Sequence, residues 1–332
     1  MRKALPLLGA GLAALLVAGC TSAAPAAQET ERPDHQTASS LLQVTEPHPE
    51  TGGTLLEGPT FSEDGDLYVV DVMAPPGEPK VLRIDIEDAT AESVFTDDRS
   101  AFTSAQFSPA DDRLYLTDIL SGSIVSISAS GEDPQTVFSG AVDGEQMLPD
   151  DIAFDADGNM FVSDTRGMDG PGWVTPGRLV RIGVDGGATV LASDLPSPNG
   201  IVFDEDGSGL WVSQYNANRV DRFELNGTGT EVVAAYPAIH IDAGRARVDS
   251  TAVDADGNVY QAFHGRSEIE VYSSSGKHLT TIVAEDESLE SATNIAIAPG
   301  TTDGYITVSG PNGGYIYTFT ALAEGIRQSN GG

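Results

Sequence analysis

Hydrophobic residues alternate with polar ones along most of the chain, as in Asp66-Leu67-Tyr68-Val69-Val70 and Arg113-Leu114-Tyr115-Leu116-Thr117, and clusters of Gly, Asp and Pro interrupt the alternation. A period of two sends successive side chains to opposite faces of a strand. Nowhere does apolar spacing of three and four persist long enough to predict an amphipathic helix. The pattern therefore predicts an almost wholly β domain.

The strands come in repeats. One motif recurs as EGPTFSEDGDLYVV from Glu57, TSAQFSPADDRLYL from Thr103, DDIAFDADGNMFV from Asp150, NGIVFDEDGSGLWV from Asn199, DSTAVDADGNVYQ from Asp249 and, more weakly, TNIAIAPGTTDGYITV from Thr293. Successive starts lie 46, 47, 49, 50 and 44 residues apart, the length of a four-stranded propeller blade. Each unit reads as a short inner strand, an Asp-rich turn, an aromatic second strand and two further strands, predicted in the third unit over Leu179–Ile182 and Thr189–Ala192. Six units predict a six-bladed β-propeller over residues 41–325. The sixth supplies only three clear strands by Thr320, so Leu41–Glu46 is predicted to complete the last blade and close the ring without an exposed edge. Residues 326–332 are expected to be a disordered tail.

The N-terminus reads differently. Arg2 and Lys3 precede an apolar run from Ala4 to Val17, the layout of a secretory signal over residues 1–19. It ends in Val17-Ala18-Gly19-Cys20, which resembles a bacterial lipobox. Cys20, the sole cysteine, is then the expected lipidation site, and residues 20–40 the expected flexible tether. This predicts an extracytoplasmic protein anchored to a bacterial cell membrane by lipid alone. It leaves the mature domain without an internal disulfide or a thiolate metal site.

Charge narrows the partners. Fifty acidic residues against 17 basic ones give a net charge of −33, and removing Arg2 and Lys3 takes it to −35 (15 minus 50). A phosphate backbone is repelled by such a field, which excludes nucleic acid. Most of the acidity reads as solubility, but it eases cation binding.

In a propeller, equivalent positions at the inner-strand starts surround the central channel. Here they are Glu57, Thr103, Asp150, Asn199, Asp249 and Thr293. Three carboxylates gathered at one mouth repel each other unless protonated or neutralised by a cation. Hard oxygen donors favour Ca²⁺, with Mg²⁺ or Mn²⁺ as substitutes; Zn²⁺ could exchange in, but a structural zinc site is disfavoured. No histidine falls at the repeat position. Asp155, Asp157, Asp204, Asp206, Asp254 and Asp256 follow the inner strands and read as turn formers.

Glu57-Gly58-Pro59, Pro198-Asn199-Gly200 and Val248-Asp249-Ser250 each open a repeat, and Asp150-Asp151 precedes Ile-Ala-Phe-Asp. With Asp164-Thr165-Arg166-Gly167 and Ala217-Asn218-Arg219-Val220, they resemble the superfamily of gluconolactonases, regucalcin (senescence marker protein) and related lactonases, most of all its bacterial drug-responsive branch. The likeness spans nearly the whole propeller. It implies a channel calcium held by Glu57, Asp150, Asn199 and Asp249, with Ser250 as an added donor, and hydrolysis of a lactone. Val248 departs from the family's usual Pro, and the anchor and tether are absent from cytoplasmic relatives.

The chemistry expected on this reading is calcium-assisted ester hydrolysis, with Asp150 as general base or water-positioning group and Asp151 in reserve. No G-x-S-x-G motif is present to suggest an acyl-enzyme. Arg166, Tyr215, Asn218 and His264 follow second strands and are candidate substrate contacts; Trp173 sits in the loop Gly167–Gly177, a candidate lid. The competing expectation is a non-catalytic envelope propeller that binds a protein or glycan around a structural calcium. A monomer is expected in either case.

Overall fold

The computed structural model describes residues 35–330, apart from 169 and 172. The signal-like segment, Cys20 and the tether up to residue 34 lie outside the described residues. Those described form strands and turns without a helix, so none crosses a membrane as a helix.

After β1 (His35–Thr45) the chain lays down strands in groups. The first unit is β2 (Leu56–Phe61), β3 (Leu67–Asp71), β4 (Pro79–Asp85) and β5 (Thr90–Thr96). The second is β6 (Phe102–Phe107), β7 (Leu114–Asp118), β8 (Ser123–Ile127) and β9 (Gln135–Ser139), followed by a small hairpin, β10 (Ala141–Val142) and β11 (Glu145–Gln146). The third is β12 (Pro149–Phe154), β13 (Met160–Asp164), β14 (Gly177–Ile182) and β15 (Ala188–Leu195); the fourth is β16 (Pro198–Phe203), β17 (Gly209–Gln214), β18 (Arg219–Leu225) and β19 (Val232–His240). These four units are separate four-stranded antiparallel sheets in chain order.

The remaining strands are β20 (Arg247–Asp254), β21 (Val259–His264), β22 (Glu268–Tyr272), β23 (His278–Ala284), β24 (Ser291–Ile297), β25 (Asp303–Gly310), β26 (Gly313–Thr320) and β27 (Gly325–Asn330). Two meanders, β20-β21-β22-β23 and β24-β25-β26-β1, are joined with β27 into one nine-stranded sheet. The first strands touch in cyclic order, β2 to β6, β12, β16, β20, β24 and back to β2. The architecture is all-β and propeller-like.

The repeat motif is explained by what lies between neighbouring sheets. In the first three units the aromatic of the second strand packs edge-on against the Phe that ends the next unit's first strand: Tyr68 on Phe107, Tyr115 on Phe154 and Phe161 on Phe203, at 5.0–5.2 Å between centroids. Such pairs add about 0.5–1.5 kcal/mol each beyond burial. Six apolar clusters result, one in each gap between successive units, as with Ile124, Ile152, Phe154 and Val180 between the second and third. The Asp residues of the motif shape the turns: Asp155 Oδ1 accepts the backbone N–H groups of Asp157 and Asn159, and Asp254 Oδ1 those of Asp256 and Asn258.

Both chain ends differ from expectation. The N-terminal strand runs alongside β26, but it starts at His35, so residues 35–40 are strand and not tether. His35–Ala38 pair in parallel with Thr281–Ala284. Backbone hydrogen bonds to two neighbours hold this outer strand, and of its side chains only Ala38 is fully buried, so its polar composition concealed it. Deleting residues 35–47 should lower the melting temperature by several degrees in calorimetry, because Leu41, Leu42 and Val44 leave their cluster and β26 loses its partner. An unchanged melt would refute that closure.

The tail expected to be disordered over residues 326–332 is largely β27, paired with β20 at Ala252 and Asp254. It also contacts β2, β12, β16 and β24, while Gln328 donates to the Phe107 carbonyl on β6. It thus lies across all six first strands near the ends that lead into the Asp turns.

Candidate functional site

Strand register defines the other end. Leu56 lies opposite Asp71, Phe102 opposite Asp118, Pro149 opposite Asp164 and Pro198 opposite Gln214, so inner-strand starts and second-strand ends share one mouth. The loops before the inner strands are clamped there. Asp71, Asp118 and Asp164 accept the backbone N–H groups of Leu55, Ala101 and Leu148. In the fourth unit Gln214 takes this place, and its buried amide has no protein partner.

Each inner strand breaks register at the same point. A bulge falls between Glu57 and Thr60, Phe102 and Ser104, Pro149 and Ile152, Pro198 and Ile201, Val248 and Thr251, and Ala292 and Asn294. Bulges re-aim side chains and are common beside active sites. Here they coincide with Glu57, Thr103, Asp150, Asn199, Asp249 and Thr293, all buried. Glycine permits the crowding: a Cβ on Gly200 would stand 2.6 Å from Thr251 N, and one on Gly58, at φ +55°, 2.4 Å from Ala105 N.

Polar side chains hold this backbone from one unit to the next. Thr117 donates to the Asp150 carbonyl, Ser213 to that of Asp249 at 2.6 Å and Thr293 to that of Leu56 at 2.7 Å. Gln261 Nε2 donates to the carbonyls of Asp249 and Ser250. The sequence reading missed this layer. Its signal was a hydroxyl at the penultimate second-strand position, Thr117, Ser163 and Ser213, where the first unit has Val70.

At the centre, Asn199 Nδ2 donates to Asp150 Oδ2 at 2.7 Å, and Asn294 Nδ2 to Glu57 Oε2 at 3.4 Å. Asp151, Asp249 and Ser250 are buried with them, and Ser250 hydrogen-bonds the Asp151 carboxylate. Burial pushes all four acids up. Glu57 is raised further by the charges of Asp249, Asp151 and Asp150; Asp151 by Asp150 and Asp249; and Asp249 by Asp150. Asp150 is raised to about 7 by burial, against hydrogen bonds from Thr165, Thr103 and Asn199 that favour its ionised form. Among the described residues, no arginine or lysine belongs to the groups acting on the four. The sequence predicted three carboxylates at the inner-strand starts with Asp151 as the reserve base beside them, and Asp151 is buried with the three.

Among the described residues no three Asp, Glu, His or Cys side chains are drawn together as a finished metal cage. One donor of the candidate set, Asn199, is an amide. Two oxygens nevertheless remain without a protein partner although fully buried, Asp151 Oδ2 and Asn199 Oδ1.

The candidate substrate contacts ring the same mouth. Tyr215 and His264 occupy equivalent places in neighbouring units, and the tyrosine hydroxyl lies 3.0 Å from His264 Nδ1. Burial lowers the His264 pKa, against the opposing charge of Glu290. Asn218 Nδ2 reaches the Gly244 carbonyl at 3.4 Å. Arg166 is ion-paired with Glu145, and Trp173 stands exposed in its loop. A separate cavity of about 620 Å³, among the Asp155, Asp204 and Asn226 turns, contains none of these residues.

Comparison with known proteins agrees with this layout. Lactonase drp35 of Staphylococcus saprophyticus is 26% identical over 323 residues, covering 92% of this chain and 94% of its own. A gluconolactonase from Xanthomonas campestris superposes with a TM-score of 0.66 at 20% identity, over 85% of this chain and 88% of that one. The calcium-binding protein regucalcin of Agrobacterium tumefaciens superposes with a TM-score of 0.66 at 15% identity, over 88% and 99%. The family profile described as SMP-30/Gluconolactonase/LRE-like region matches residues 55–310, from the residue before β2 to the end of β25, and the chain belongs to that family.

Proposed function

We propose that this protein is a calcium-dependent lactonase, a six-bladed propeller that opens cyclic esters at the mouth where its inner strands begin. The observation that carries the reading is the burial of Glu57, Asp150, Asp151 and Asp249 around Asn199 without a basic partner. Such a set is costly to bury unless a cation joins it. The donors are all hard oxygens, and the orphaned Asp151 Oδ2 and Asn199 Oδ1 have unused capacity, so the residues fit a calcium ion. Glu57, Asp150, Asn199 and Asp249 would hold it, with Ser250 as an added donor. Mg²⁺, Mn²⁺ or Zn²⁺ would be imperfect replacements.

When bound, calcium would supply positive charge for the carbonyl oxygen of the ester. The chain does the rest. Asp150 accepts a proton from the attacking water, with its carboxylate oriented by the Asn199 amide and by Thr165 and Thr103. Tyr215, His264, Asn218 and Arg166 line the approach and hold the ring. The ring C–O bond breaks, the proton held by Asp150 passes to the departing ring oxygen, and the product leaves as a hydroxy acid.

Acid release from γ-butyrolactone, followed in a pH-stat, tests the reading. Turnover should appear with calcium, vanish in excess chelator and return when calcium is restored. If no lactone is opened while calcium stays bound, the protein is instead a binding module for a protein or glycan. We also propose that Cys20 carries a lipid holding the domain outside a bacterial membrane. A Cys20→Ser chain should then move from the detergent phase to the aqueous phase in partitioning, and a chain that stays in detergent would end that idea.

A further inference from the structure

The mouth is not evenly polar. Leu120, Leu148, Trp173 and Val174 are exposed there, and all four belong to loops of the second and third units; Trp173 is 87% exposed and Leu120 71%. The fourth and fifth units present Tyr215, Asn218 and His264 instead. Behind the apolar side, Leu148, Thr165, Met168, Pro171 and Val174 line a cleft of about 290 Å³.

This cleft lies beside the acidic centre and shares Thr165 with it. Thr165, in its wall, hydrogen-bonds the Asp150 carboxylate, and Leu148 is two residues ahead of Asp150. Its size is at the low end for ligand pockets, which suits a substituent and not a whole substrate. A ring carrying hydroxyls on every carbon would leave some of them facing Leu148, Met168 and Val174 without partners, a costly arrangement. An alkyl group loses nothing there and gains by leaving water.

We propose that the preferred substrate is a lactone bearing an aliphatic chain, with the ring over Asp150 and the chain in the cleft beside Leu148, Met168 and Val174. This rests on the lactonase reading and adds the substrate class to it.

The test is a series of γ-lactones from γ-butyrolactone to γ-dodecalactone, assayed with calcium. The expected result is a rise in kcat/KM of roughly threefold to fourfold per methylene, mostly through KM, until the cleft is full. A Val174→Asn/Met168→Gln double variant should flatten that series while turning over γ-butyrolactone as before, which also shows that it folds. As a binding readout, 5-alkyl-2-pyrrolidinones should inhibit with constants that fall in the same steps. A series flat in the unmodified protein, with γ-butyrolactone still opened, overturns the cleft assignment and leaves the lactonase standing. Unchanged steps in the double variant overturn it equally, and failure to open any lactone removes both.

Discussion

Asp150→Asn should reduce kcat/KM for lactones by about 10³-fold, within the 10²–10⁴ that a positioned general base contributes, while the protein stays folded. Among the described residues the carboxyl has no basic side chain to leave behind, and the amide has the same shape. Its removal also relieves Asp151 and Asp249, whose ionisation the Asp150 charge opposes. The melting temperature without calcium should accordingly hold or rise. Loss of activity with a retained fold separates chemistry from scaffolding. If the variant keeps activity within a few-fold under saturating calcium, the base lies elsewhere, and Asp151, with one oxygen unpartnered, is the next residue to replace.

A second large effect should appear in melts taken across pH. In excess chelator the protein should become more stable as pH falls from 8 towards 5. The sign follows from linkage: a carboxyl whose folded pKa is raised binds its proton more tightly in the native state, so stability declines as pH climbs from the unfolded value through the folded one. For Asp150 that window runs from 3.8 to about 7. Glu57, Asp151 and Asp249 shift in the same direction.

Calcium should reverse the trend, because ionised carboxylates bind it best. At a hundred times Kd it would contribute about 2.7 kcal/mol. At roughly 2–4 °C per kcal/mol for a domain of this size, the melt should rise by about 5–10 °C at pH 8 and little at pH 5. Exposed acids of a −33 chain repel one another too, so Asp249→Asn is the control. It should lose most of the calcium response. Equal shifts in both proteins, or none in either, would remove the proposed binding site.

Much of this was legible from periodicity. The six inner-strand starts can be located from the spacing of the motif, because each repeat carries the same inner strand, turn and second strand at the length of a four-stranded unit. Asp151 was harder to place. In a regular strand its side chain would point away from that of Asp150, and only the bulge at Pro149–Ile152 accounts for both acids sharing one buried centre. A bulge depends on how two strands align and leaves little trace in composition. His35–Ser40 and Gly325–Asn330 were hidden for a related reason: hydrogen bonds of the main chain hold them, and these are blind to residue type.

The position of β27 has a consequence for traffic. A strand laid across the far ends of the six inner strands covers the central passage there, so that on the proposed function ion, water, lactone and hydroxy acid would share a single doorway. Product has to clear that doorway before the next substrate can enter, and whatever slows its departure, such as an alkyl group gripped beside Val174, sets an upper limit on turnover. Tight holding of long chains and fast cycling then become opposing demands on one entrance.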